Sequence, residues 1–375
     1  MTMRSTRENR GGRETIAALV VAALAGCSDG DAPPLPEPVV VDLAPEGVPH
    51  GLLSEWGLFE DLRAQVPSGE VVFYDVNAPL YSDYTFKRRF LHVPAGGRVG
   101  YAPEGEWDFP VGTILVKTFS YLADARDPSL GEQLLETRLL VHQPGTWEAH
   151  TYIWEGDDAR YDRVGDFIDT EWIDVAGNLR TNRYIVPNNN ECQECHGEME
   201  ALDTLGGVTR QLNREHDYGA GPVNQIDHFA SLGWLDVDPP PAEERQTLVD
   251  PFGSAPEWTR VRSYLDTNCG HCHTEDGPAS QSALLLSFDL TVPGENPEAN
   301  WGVCKVPTSA GGATCGHTYD VVPGDPDRSI VMCRLQSEDP EVRMPPTVSR
   351  IPHAEGNALI RAWIAGMDPV DCDSL

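Results

Sequence analysis

Two short runs constrain this chain more than anything else in it: Cys192-Gln193-Glu194-Cys195-His196 and Cys269-Gly270-His271-Cys272-His273. Each reads Cys-x-x-Cys-His. Two residues between the cysteines let both sulfurs reach one edge of a porphyrin as thioethers, and the histidine that follows is then directed at the iron. The motifs therefore predict two covalently bound haem c groups. Cys192, Cys195, Cys269 and Cys272 would form the thioethers, and His196 and His273 would be the proximal axial ligands. A zinc site needs four ligands close together, and these motifs begin 77 residues apart. A thioredoxin-type motif needs a βαβ context, which the surrounding pattern lacks.

The remaining cysteines divide by position. Arg4, Arg7, Arg10 and Arg13 precede an apolar run from Ile16 to Ala25, which ends in Leu24-Ala25-Gly26-Cys27. The run is too short for a stable membrane span and reads as a secretory signal. Small residues directly before a cysteine match a lipoprotein signal, so residues 1–26 are expected to be removed and Cys27 to carry lipid. Residues 27–45, rich in Pro and acid, read as a solvated tether. Cys304, Cys315, Cys333 and Cys372 remain, and in an exported chain they predict two disulfides. Of three possible pairings, Cys304–Cys315 and Cys333–Cys372 are favoured, the first closing a short Gly-rich loop and the second tying down the chain end.

Residues 46–240 carry short β-branched and aromatic runs punctuated by Pro and Gly: Val71–Tyr74, Arg88–His92, Thr113–Tyr121, Leu134–Val141, Ala149–Trp154 and Arg183–Val186. They predict a β-rich domain ending in the first haem motif. Residues 241–255 form a linker. From 256 to 375 the pattern predicts helices at 257–268 and 355–366, with Met344 in Arg343-Met344-Pro345-Pro346 as the sixth ligand of the second haem and Met332 and Met367 as its rivals. The expected class is thus α+β in two domains, an N-terminal β-rich domain with the first haem and an all-α C-terminal domain with the second. The sixth ligand of the first haem stays open among Met199, His216, His228, His92, His142 and His150. Arg88 and Arg89 read either as a solvated charge cluster or as partners of haem propionates.

From Val322-Pro323-Gly324-Asp325 through Met344-Pro345-Pro346 to Ala362-Trp363-Ile364, the C-terminal part resembles class I cytochrome c. Leu53-Ser54-Glu55-Trp56-Gly57, Asn77-Ala78-Pro79-Leu80-Tyr81-Ser82-Asp83, Phe109-Pro110-Val111-Gly112-Thr113 and Gln211-Leu212-Asn213 resemble a poorly characterised family of exported bacterial dihaem c-type cytochromes. Some of its members are joined to quinoprotein sugar dehydrogenase propellers. The sheet with its Pro-x-Gly-Thr-x-x-Val-Lys run and terminal haem motif is also similar to cytochrome c′-beta.

The charge adds a further bound. With 27 basic and 59 acidic residues the net charge is −32, a surface that repels nucleic acid and anionic lipid. No phosphate loop, nucleotide fingerprint or Ser-His-Asp constellation stands out. The expectation is a lipid-anchored, periplasmic or surface-exposed electron carrier with a redox partner protein, implied by the resemblance to be a quinoprotein dehydrogenase. The alternative is an oxidoreductase or gas binder using an open coordination position at the first haem, acting on peroxide or small nitrogen compounds.

Overall fold

The run from Val71 to Asp162 alternates β-branched and aromatic residues with turn formers, and it folds as a meander. The structure, a computed structural model, describes residues 38–375 apart from 198–203, 309–313, 348 and 375. The leader, Cys27, most of the tether and Met199 therefore lie outside the described residues. A small ribbon, β1 (Phe59–Asp61) with β2 (Val66–Pro67), precedes a six-stranded antiparallel sheet. Its strands are β3 (Val71–Tyr74), β4 (Phe86–His92), β5 (Ile114–Leu122), β6 (Glu132–Gln143), β7 (Thr146–Glu155) and β8 (Asp158–Asp162), neighbours in chain order. Pro144 and Gly145 close the β6–β7 hairpin, with Gly145 at φ 85°. Pro fixes the first turn position and only Gly takes the second without strain. A second ribbon, β9 (Asp166–Ile173) with β10 (Leu179–Val186), leads into the first motif.

Both faces of the sheet are covered. Val116, Leu139 and Tyr152 pack on one face against Leu53, Trp56 and Phe59. Leu91 and Leu115 pack on the other against Trp107, Phe109, Leu212 and Phe229. The central strand β5 is therefore buried along nearly its whole length, broken inside only at Lys117.

The expected all-α C-terminal domain is not what forms. The described residues are β-rich, with six short helices among them: α1 (Asn189–His196), α2 (Thr209–Leu212), α3 (Gln225–Ser231), α4 (Glu257–Leu265), α5 (Ile330–Gln336) and α6 (Ala354–Ala365). Between the second motif and α5 the chain is loop, 3₁₀ turn and isolated bridges such as Val303 with Val321. Pro278, Pro293, Pro297, Gly294 and Gly302 explain why, since each either removes an amide donor or loosens the backbone. The helices that do form share one core, in which Val261, Leu265, Ile360 and Ile364 meet Trp301 and Met332. Residues 38–375 form one compact unit.

The disulfides are two in number, but the favoured pairing is corrected. Cys304 joins Cys372 (Cα–Cα 5.1 Å) and Cys315 joins Cys333 (6.5 Å). The chain end turns back so that the Tyr319 hydroxyl donates to Asp373 at 2.7 Å, which brings Cys372 to Cys304. Cys315 is left facing α5, where Cys333 lies.

Candidate functional site

The first motif begins on a strongly capped helix. Asn188 Oδ1 accepts from the amides of Asn190 (2.9 Å) and Glu191 (3.2 Å), and Glu191 accepts from the Asn188 amide at 2.8 Å. This reciprocal box starts α1 only two residues, Pro187 and Asn188, after the end of β10. Cys192 Sγ lies 3.7 Å from the Asn188 carbonyl. Burial raises its thiol pKa, and the neighbouring Arg138 guanidinium opposes that rise.

The second motif sits on a π-helical turn, Asp266–Gly270, that continues α4. Such turns displace side chains from the regular helical repeat and recur at functional sites. Asp266 anchors it, accepting from Arg210 Nε (3.0 Å) and the Phe288 amide (2.8 Å). Gly270 is required here because a Cβ would come within 2.9 Å of Ser287 Cα. Cys269 is enclosed, and its thiol is pushed up to about 12 by burial. His273 Nδ1 faces the Leu284 carbonyl at 3.1 Å and Ser282 Oγ at 3.3 Å, which leaves Nε2 for a ligand. Burial lowers its pKa to about 4 and keeps the imidazole neutral, the form that binds metal.

The two motifs meet. Cys195 of the first, with His271 and Cys272 of the second, offers ligand atoms within 4.8 Å of one another. All three line a cavity of about 310 Å³ together with Cys269, His273 and Met344, a volume at the small end of natural ligand pockets, ~300–1,000 Å³. Leu80, Tyr264, Leu335, Pro345 and Ile351 complete a mostly apolar wall. Two thiols, an imidazole and a thioether around an apolar space are the donor set a haem c site requires, so the residues present fit that group. Met344 is held there by a hydrogen bond from its amide to the Arg334 carbonyl at 3.0 Å. Its rival Met332 is buried in the helical core, and Met367 packs against that core.

The histidines considered for the first haem are engaged elsewhere. His92 Nδ1 faces the Glu70 carbonyl, His142 stacks on Trp147, His150 contacts Glu148, His216 packs on Phe73 and His228 stacks on Tyr218. None of these five lines the cavity. Arg88 pairs with Glu132 at 2.7 Å, whereas Arg89 turns to the opposite face and pairs with Asp75 at 3.0 Å.

Three cavity features escaped the sequence reading. His353, just before α6, stacks on Tyr81 with ring centroids 4.0 Å apart and shares a hydrogen bond with the Tyr264 hydroxyl at 3.1 Å. Tyr81 is itself held by Asn268, whose Oδ1 accepts from the Tyr81 amide at 2.8 Å. Asp83 accepts from Ser349 Oγ (2.8 Å) and from the amides of Arg350 (2.8 Å) and Ile351 (2.9 Å), fixing the loop beyond Met344. The Asn77–Asp83 and Gln211–Asn213 runs meet as well: Gln211 brackets Ala78 with two hydrogen bonds of 3.0 Å. The signal for these roles was the density of polar residues in otherwise loop-like runs.

Comparison with protein-family models, with curated proteins and with solved structures finds no match to this chain. No helix among the described residues is long and apolar enough to cross a membrane.

Proposed function

We propose that this chain is an exported dihaem c-type cytochrome, lipid-anchored through Cys27, that passes electrons from a partner dehydrogenase to a further acceptor. One observation carries the reading: the second Cys-x-x-Cys-His motif lines an apolar cavity with Met344 on its wall, and Cys195 of the first motif reaches the same cavity. Bound there, haem supplies a one-electron redox centre. The protein's part is attachment through Cys192, Cys195, Cys269 and Cys272, orientation of His273 by Leu284, a neutral imidazole, and exclusion of water by Tyr264, Leu335 and Pro345. The resemblance to dihaem cytochromes joined to quinoprotein propellers makes such a dehydrogenase the proposed partner.

The test is expression of the full chain with haem-maturation machinery, followed by intact mass and a pyridine haemochrome spectrum. Two haem adducts per chain are expected. A haem-free chain holding stoichiometric zinc would replace the reading with a Cys195–His271–Cys272 metal site, which their 4.8 Å cluster can form.

A second reading keeps the haems but gives the first an open position, making the protein a gas binder or an oxidoreductase for peroxide or small nitrogen compounds. Its support is that His92, His142, His150, His216 and His228 are all engaged away from the cavity. One high-spin and one low-spin ferric signal in electron paramagnetic resonance would favour it, and two low-spin signals would favour the carrier.

A further inference from the structure

The chain contains three lysines, Lys87, Lys117 and Lys305, against 24 arginines and 59 acidic residues. Lys305 has the partner such a composition leads one to expect, with Nζ 3.0 Å from Asp320. The other two share one face of the central sheet. Strand register sets Arg89, Lys117 and Arg138 side by side across β4, β5 and β6. Lys87, two residues before Arg89, projects to the same face. Phe119 gathers three of them: its ring centroid lies 5.7 Å from Lys87 Nζ, 5.1 Å from Lys117 Nζ and 4.5 Å from the Arg138 guanidinium.

The two arginines of this band are neutralised, Arg89 by Asp75 and Arg138 by Glu136. The two lysines are not. Lys87 Nζ donates to the Thr85 carbonyl at 2.9 Å, and Lys117 Nζ has no hydrogen-bond or carboxylate partner among the described residues. Burial and mutual repulsion lower Lys87 to about 7 and Lys117 well below the ordinary lysine range. Holding two such ammonium groups largely out of water is costly, and cation–π contact with one ring offsets only part of that cost. The carboxylate nearest to Lys117 on this face, Glu136, is already engaged by Arg138, so the band carries more cations than the acids that pair with it.

The band acts electrostatically on both sites: the charge of Arg138 is felt at Cys192 of the first motif, and that of Lys87 at His353 on the cavity wall. Arg138 keeps 24% of its side chain accessible, and Lys87 and Lys117 are likewise only partly buried.

We propose that Lys87 and Lys117, flanked by Arg89 and Arg138, form an anion subsite beside the first motif that takes a carboxylate or a small oxyanion. The carboxylate arms of a haem attached at Cys192 and Cys195 are one source, and that source alone rests on the haem reading. A free anion such as nitrite or formate is the other.

The experiment compares the matured full chain with Lys117→Met, Lys87→Met, the double variant, Lys117→Arg, and Arg88→Gln as a control on the opposite face. Intact mass counts haems, a spectroelectrochemical titration gives potentials, and calorimetry measures nitrite and formate binding. If haem carboxylates fill the subsite, both haems stay attached in Lys117→Met, one potential shifts downward because a cation favouring the reduced state is gone, and neither anion binds. If a free anion fills it, nitrite or formate binds the wild type saturably, about tenfold more weakly in each Met variant, and not at all in the double variant. Lys117→Arg retains the wild-type result in both cases and separates charge from folding. Unchanged potentials and unchanged anion binding in the double variant, with both haems attached, would overturn the proposal. Should no haem attach, the haem reading fails separately, and anion titration of the haem-free full chain decides: binding lost in the double variant upholds the subsite, and no binding to the wild type refutes it.

Discussion

His273 and Met344 reach the same cavity by different means, and the difference predicts how each substitution will fail. His273 is oriented by one carbonyl at 3.1 Å and kept neutral by burial, so it would meet a haem iron as a fixed base. Met344 rides on a loop anchored to α5 through two hydrogen bonds at Arg334, from the Met344 amide to its carbonyl (3.0 Å) and from its Nε to the Val342 carbonyl (2.9 Å). Met344→Ala is expected to leave haem attachment intact, abolish a methionine-ligated low-spin spectrum and lower the potential of that haem, since thioether ligation raises it. An unchanged spectrum removes the assignment. His353 gives a pH prediction. Burial lowers its pKa to about 4, with Glu355 opposing the shift and Lys87 adding to it, and Nδ1 shares a hydrogen bond with the Tyr264 hydroxyl. A histidine with a folded pKa below its unfolded 6.5 binds its proton first in the unfolded chain. Stability from this residue is thus complete above pH 6.5 and is lost as pH falls toward 4, by up to ~3 kcal/mol. His353→Gln should flatten that part of the curve of midpoint temperature against pH, and an unaltered slope would exclude His353 as its source.

Between elements, the connection most exposed to a single change is Asp83. Its buried carboxylate accepts from Ser349, Arg350 and Ile351, and so ties the loop before β4 to the segment between Met344 and α6. Asp83→Ala leaves two amides without their partner at ~1–3 kcal/mol each, and hydrogen exchange at residues 349–353 should accelerate while the β4–β5–β6 ladder stays protected. Equal acceleration in both would mean global rather than local loss. Gly356 lets α6 cross α4, because a Cβ there would overlap the Tyr264 hydroxyl. Gly356→Ala should therefore lower stability by ~1–3 kcal/mol even though Ala favours helix. How far such contacts are legible in sequence depends on their range. Val71–Tyr74 forms β3 residue for residue, and the other apolar strand runs fall within β4 to β7 and β10 except for Thr113, one residue before β5, because alternation of β-branched and aromatic residues is a local signal. Strands β8 and β9 are rich in aspartate and gave no such signal. Helix was expected throughout the C-terminal part because Glu257–Leu265 and Ala354–Ala365 flank it, but proline and glycine govern the stretch between them. The favoured disulfide pairing followed sequence proximity, whereas the Tyr319–Asp373 contact that reverses it spans 54 residues. The same limit hid the approach of Cys195 to Cys272, which the 77-residue spacing of the motifs seemed to forbid.

Across the whole molecule, the sign of the charge separates inside from outside. The net charge is −32, yet all three lysines are partly buried, and two of them sit with Arg89 and Arg138 against the sheet. A redox partner approaching through solvent meets an acidic surface, while a small anion that gets inside meets cations. Long-range attraction sets the encounter rate and is screened over ~10 Å at 0.1 M salt. Oxidation of the reduced, matured protein by cationic hexaammineruthenium(III) should therefore slow steeply as ionic strength rises, and oxidation by anionic ferricyanide should accelerate, the two approaching salt-independent limits. Stopped-flow traces at 10 and 500 mM salt decide it. The opposite ordering would mean that the redox centre is reached through the cationic band rather than across the acidic surface. The physiological partner would then have to be anionic at its point of contact.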